Sequence, residues 1–457
     1  MALTPVEAQK ALVAFQRFGL GPKPGGAARI GRNPLAALKA EVNKAGIAKI
    51  SAASLPSYSK ACYESQKGID RAEAQRRIEL NARIDKHRSV EIGFVERLVM
   101  FWSNHFSMTV NKIETVRGTF GQWERDVIRK NALGKFHDML RETYNHPAMI
   151  AYLDNDNSIG PKSRRGQEWG VGLNENLARE LMELHTVGSG GGYTEADVTA
   201  LAKILTGWSY VRGWEADNRS EGGTPQNRGQ FIYRPRWHEP GAITVMGKRY
   251  APAGKDQCEA VLLDLARSPE TAEHIAFKLV HHFITDEPTP AMVDPIKQAF
   301  LDSDGDLKAV ALALINLPAA WSLPFEKIRT PYEMTIAQYR ALGERYDPAD
   351  GWVFSEPLYA LRQMAWEAPS PKGYSDDTPT WLNPDAMRVR LELAQFASWG
   401  FKRDYTGNVA VLGRKLFDRA LSTDTLNRIE AAATSGDWGA NNNALTILLA
   451  CPEFQRR

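Results

Sequence analysis

Cysteine is nearly missing: Cys62, Cys258 and Cys451 are the only three in 457 residues. An odd number of distant thiols with no CxxC spacing excludes a disulfide framework and a cysteine-built zinc site. No stretch approaches eighteen uninterrupted apolar residues, so no membrane span is expected. The opening MALTPVEAQKALVAFQRFG has neither a basic leader with an apolar run nor a small-residue cleavage site. A cytoplasmic location is therefore expected, with export alongside a partner as the alternative. Charge of one sign is also scarce, since 57 Lys and Arg stand against 54 Asp and Glu, a formal net of +3. Such a balance creates no strong field, and nucleic acid is not an expected partner. HExxH, GxSxG, GxxxxGK[ST] and a GxGxxG after a strand are all absent, which removes four common catalytic and nucleotide-binding signatures. The run DSDGDLKAVALA (302–313) begins like a calcium loop. Gly305 falls too early for one, and Ala313 stands where a bidentate Glu belongs, so the run reads as a turn capping the next helix.

What the chain does have is helical patterning. Apolar residues recur at three- and four-residue spacing through 67–103, 119–142, 173–187, 195–207 and 256–284, among other segments. Thr194 before Glu195, Ala196 and Asp197 is a helix N-cap with acid in the first turn, and Pro269 after Ser268 opens another helix. Strand signals are confined to QFIYR (230–234) and AITVMGKRY (242–250), flanking RPRWHEPG. The fold expected is mainly α: a large multi-helix domain with a small β-hairpin insertion near 230–250. Residues 1–345 read as a helical core domain and 346–457 as a C-terminal helical lobe packed on it. No fixed-period repeat appears, which disfavours a solenoid.

Chemistry concentrates between residues 101 and 210. On a straight helix through 173–187, Leu173, Leu177, Leu181 and Leu184 form a buried stripe. Asn176, Glu180 and Glu183 cluster on one flank, with Asn174 and His185 on the other. Two readings compete. In the first, the glutamates pair with arginines such as Arg179 and only fix helix packing. In the second, Glu180, Glu183, Asp154 and His185 carry acid/base chemistry, with one divalent metal ion as the possible cofactor. A straight helix turns His185 about 140° from Glu180, so the two converge only if the helix changes before His185. His105 in FWSNHF reads first as a hydrogen-bonded core histidine, and His146 in NHPAM as a turn cap. The Asp154–Asn157 run reads as a capping or cation-binding loop. GSGGG (188–192) reads as a helix C-cap, and His238 in RWHEPG as a ligand added from the inserted hairpin. His281 and His282, being adjacent on a helix, point to different faces.

Several of these segments occur in order between about residues 10 and 400. They are FWSNHF, the HPAMIAYLDN run, NENLARELMELHTVGSGGGYTEADVTALAKILTGW, His238 in an F-x-Y…H-x-x-G context, PETAEHIAFKLVHHFITDEPTP, GDLKAVALAL and WLNPDAMRVR. Together they resemble the bacterial family called domain of unknown function 1800. The resemblance implies a largely helical fold and brings no established reaction. It also implies a partner protein resembling sulfatases and alkaline phosphatases. The residues matching the family's polar motifs are His105, His146, Asp154, Asn174, Glu175, Arg179, Glu180, Glu183 and His185. The leading functional expectation is a hydrolase acting on a glycan-like substrate, with Trp102, Trp169, Trp208 and Trp237 lining the approach. The alternatives are a non-catalytic scaffold or partner protein and, with least support, a metal-dependent oxidoreductase.

Overall fold

The computed structural model describes residues 3–51, 54–170, 172–343, 351–400 and 406–457. Helix dominates, and its starts are chemically specified. Thr4 and Glu7 close a capping box, as do Thr194 with Asp197 and Thr330 with Glu333; Ser268 caps the helix that opens at Pro269. Each cap satisfies backbone N–H groups that a first helical turn leaves without partners. No described helix is long and apolar enough to cross a membrane. The three cysteines are buried and form no disulfide.

The β structure differs from expectation in its pairing. Phe231–Tyr233 turns back to pair antiparallel with Trp208–Tyr210, while Ile243–Val245 pairs with Lys248–Tyr250. The second pair is a tight hairpin because Met246 and Gly247 hold φ of 47° and 75°, the left-handed pair of a type I′ turn. Asp197 Oδ1 accepts the Met246 N–H at 2.7 Å and fastens that turn to the helix Glu195–Leu205.

The largest apolar cluster runs from Val13 to Ala320 and takes in Trp366. A second joins Leu12, Ala337 and Ala341 to residues between Ala394 and Phe454. The expected division near residue 345 lies outside the described residues. The segment 366–376 crosses the helix Phe94–His105. Asn104 donates to Tyr374 O and accepts from Tyr374 N, each at 2.8 Å. Gly373 permits this approach: its φ is +85°, and a Cβ there would stand 2.5 Å from Asn104 O.

Leu177 and Leu181 are fully buried, as the stripe requires, whereas Leu184 is only part-buried. Leu181→Ala is expected to destabilise the protein by about 2–5 kcal/mol, from lost apolar burial plus the cavity left behind. A chemical denaturation midpoint that does not move would contradict that central placement.

Candidate functional site

The α-helix Asn176–Glu180 does not continue straight but widens into a π turn over Leu181–His185. An i→i+5 repeat brings Glu180 and His185 toward one side, where a straight helix would separate them, and rotates Leu184 out of the stripe. The chain then reverses at Gly188, whose N–H bonds Met182 O at 2.9 Å. Gly188 has φ +80°, and His274 Nδ1 lies 2.6 Å from where a Cβ would be, so a side chain here would displace that histidine.

Three histidines serve this turn. His274 Nε2 donates to Leu184 O at 3.1 Å and His105 Nε2 to His185 O at 3.2 Å, satisfying carbonyls that a helix end leaves free. Lys278 Nζ reaches His105 Nδ1 at 3.0 Å; an ammonium can only donate, which puts the His105 proton on Nε2. His185 is fully buried, with Nδ1 2.6 Å from the Tyr144 hydroxyl. Burial, reinforced by Lys278, holds His105 and His185 well below the usual histidine range, so both are neutral. His105 is thus the hydrogen-bonded core histidine of the first reading, and His185 shares that interior.

The carboxylates stand on the open flank. Arg179 grips both oxygens of Glu195, at 2.8 and 2.7 Å, and touches Glu175 at 3.4 Å, where Glu175 also accepts from Thr199. Among the described residues, Glu180 and Glu183 make no ion pair or hydrogen bond. Both are part-buried. Burial, then the neighbouring Glu183 charge, raises the Glu180 carboxyl above its ordinary range, against a weaker pull from Arg179. Tyr144 and Tyr152 lie close enough that Glu180, after burial, pushes their hydroxyls up, Tyr152 to about 12. The ion pair with Arg179 expected in the first reading is therefore absent from these two glutamates.

Other expected site residues are engaged elsewhere. Asp154 takes a left-handed φ of 57°, and its carboxylate pairs with Lys112 Nζ at 2.6 Å. Its carbonyl meets Asn174 Nδ2 at 3.4 Å, so these two do converge. The rest of that run is structural: Asp156 pairs with Arg212 at 2.6 Å, and Asn155 donates to Leu205 O and Trp208 O. His146 caps the helix Pro147–Tyr152 by accepting from Ala148 N at 3.2 Å, with its ring edge-on to Tyr58. His238 is not a free ligand, because its two nitrogens contact Thr206 O and Gln257 Oε1 at 3.0 and 3.2 Å. Trp102 and Trp208 are core residues at 1% and 0% exposure, so neither lines an approach; their apolar area goes into packing. Trp169 is exposed, with Trp237 edge-on to it at 6.1 Å.

A second constellation was legible only in part: His281 and His282 do point to different faces, but their partners were not named by the sequence. The helix Pro269–Phe283 carries His274, Lys278 and His282 at four-residue spacing, one stripe that leads away from the π turn. His282 Nδ1 meets Asp376 Oδ1 at 2.7 Å, and its Nε2 meets Arg97 Nη2 at 3.1 Å. Burial raises the Asp376 carboxyl, but His282, Arg457 and Lys327 outweigh it and hold the group well below the carboxylate range. His282 and Asp376 border a half-enclosed cavity of about 80 Å³, with Ser103, Asn104 and Ser107 on another wall. None of His105, Asp154, Glu180 or Glu183 lines it. The adjacent pair points outward: His281 Nε2 lies 3.0 Å from Asp377 Oδ1 and 3.8 Å from Asp286 Oδ1. Among the described residues these three form the set whose ligand atoms lie within 4.8 Å of one another, as a divalent ion needs. The Lys327 ammonium already contacts Asp286, however, which weakens the field for a cation. The available signal was the doublet His281-His282 matching Asp376-Asp377, nearly a hundred residues away in sequence.

No curated protein and no solved structure matches the chain. The family model described as "Protein of unknown function (DUF1800)" matches residues 13–456, nearly the whole length, and the chain belongs to that family.

Proposed function

We propose that the protein is a hydrolase whose acid/base chemistry is carried by Glu180 with Glu183. The observation that supports this is a pair of part-buried carboxylates, three residues apart, that make no ion pair or hydrogen bond among the described residues, the nearby Arg179 being held by Glu195. Two neighbouring carboxylates do not both stay charged cheaply, so one retains its proton into a higher pH range. Glu180, raised by burial and by Glu183, is the proton donor, and Glu183 is the base that activates water. Tyr144 and Tyr152 supply hydroxyls beside Glu180, while His185 and His105 hold the turn rigid as neutral groups. A divalent ion bridging the pair is the metal-assisted form of the same chemistry. A glycan-like substrate keeps support from exposed Trp169 alone, since Trp102 and Trp208 are core.

Glu180→Gln is expected to remove hydrolysis of a panel of glycosides and esters, with thermal stability unchanged or higher, because Gln matches the shape of the protonated acid and cannot ionise beside Glu183. A loss of about 3–5 kcal/mol in stability, with no change in any activity, favours the other reading. That reading is a non-catalytic partner of a sulfatase- or phosphatase-like protein. It draws support from the extent of the buried Arg–Glu network around Glu96, Glu124 and Glu333.

A further inference from the structure

The cavity beside His282 has a feature that its other polar groups lack. Most of its lining polar atoms are already engaged: Ser103 Oγ donates to Glu124, the Asn104 amide is held by Tyr374, and Gln363 Oε1 accepts from Tyr332 N. Glu333 is neutralised by Arg97 and Arg457 at 2.9 and 2.8 Å, and Asp376 by its own cationic surroundings. Arg83 is different. It is 6% exposed and lines the cavity. Its Nε lies 3.2 Å from Glu124 Oε1, an ion pair without a hydrogen bond, and its guanidinium sits 4.7 Å from the Tyr332 ring centre and 5.5 Å from that of Trp366. Among the described residues neither of its terminal nitrogens has a hydrogen-bond acceptor, and both keep solvent access. Ser107, 4% exposed and also on the wall, likewise has a free hydroxyl among the described residues.

A buried guanidinium placed by one ion pair and by two ring faces is a preorganised fork. Its open edge matches the two oxygens of a carboxylate, and it loses little freedom on binding. An apolar face of Met100, Phe120, Met364, Ala365, Trp366 and Ala368 makes up much of the remaining wall, beside Thr330, Tyr374 and Ser375. A largely apolar face with one charged group whose donors are still open, the lining carboxylates being already paired, is the usual anatomy of a small-molecule site. We infer that this cavity binds a small organic carboxylate, with the acid on the Arg83 fork and a flat apolar body against Trp366 and Phe120. The inference is independent of the role proposed for Glu180.

Calorimetric titration of the full chain with benzoate tests it, with benzyl alcohol as the uncharged match and inorganic phosphate as the bodiless anion. Saturable binding of benzoate is expected, at least tenfold tighter than either control. Arg83→Lys keeps the charge but loses the fork, and is expected to weaken benzoate at least tenfold. Ala368→Leu fills the apolar wall without touching a charge and is expected to weaken it as well, which keeps a test open should the lysine variant fail to fold. Glu180→Gln is expected to bind benzoate as the parent protein does. Absence of benzoate binding, benzyl alcohol or phosphate binding as tightly as benzoate, or undiminished affinity in folded Arg83→Lys or Ala368→Leu protein would each overturn the inference.

Discussion

Arg129→Met is expected to destabilise the protein by about 3–5 kcal/mol, the loss typical when one partner of a buried ion pair is removed. Arg129 Nη1 reaches both oxygens of Glu96, at 3.0 and 2.9 Å, and donates to Ala48 O at 3.0 Å; its Nη2 lies 3.4 Å from Glu124. Both carboxylates are at most 2% exposed. Burial pushes Glu96 up, yet Arg129 and then His87 overrule it and hold the carboxyl at about 2. Without the guanidinium, Glu96 keeps only His87 among the described residues, and Glu124 depends on Arg83, Ser103 and Trp366. Combining the change with Glu96→Gln should recover part of the loss, because one stranded charge disappears. Urea unfolding of the two single variants and the double variant measures this coupling. A fully additive double variant would mean that the two groups are independent.

Stability should fall in two stages as the solution is acidified. Burial is the first cause in each of three histidines, and it holds His87, His274 and His282 down at about 4, against an ordinary value of 6.5. A depressed histidine is neutral in the fold, so the unfolded chain takes up its proton first as pH drops below 6.5. The stabilisation is therefore full above that value and is lost progressively down to about 4. His105 and His185, also depressed, add to the same stage. At pH 5.5 the loss relative to pH 7 is on the order of 1 kcal/mol per buried histidine. The second stage belongs to the carboxylates. In Glu96 and Glu333, burial opposes the arginines and is outweighed, leaving both at about 2 against 4.5. Their contribution is present above 4.5 and disappears as pH falls toward 2. Urea midpoints at pH 7, 5.5 and 4 should decline stepwise, and equal midpoints at pH 7 and 5.5 would mean that the histidines are not buried in their neutral form.

Local physics made much of this architecture legible. The caps at Thr194 and Ser268 need only a hydroxyl and the N–H groups two or three residues on, and Leu177 and Leu181 follow from a period of 3.6. The family, too, was carried by contiguous motifs, and its model spans residues 13–456. Strand pairing was less readable. Phe231–Tyr233 and Ile243–Val245 have the right composition, yet nothing in them names Trp208–Tyr210 or Lys248–Tyr250 as partners. The π turn over Leu181–His185 was also hidden, because one altered helical turn leaves the apolar pattern of its neighbours intact; it alone sends His185 inward and leaves Leu184 part-buried.

Sequence by itself thus determined the helical class, the family and the neighbourhood of Glu180 and Glu183, since each depends on residues close together in the chain. Only the tertiary structure decided which charges are neutralised. Arg179 faces Glu195 rather than Glu180, Lys112 takes Asp154, and Asp376 meets His282 across nearly a hundred residues. Charge partners are chosen by the packing of elements distant in sequence, and a residue's type shows that it needs a partner without showing which one it finds.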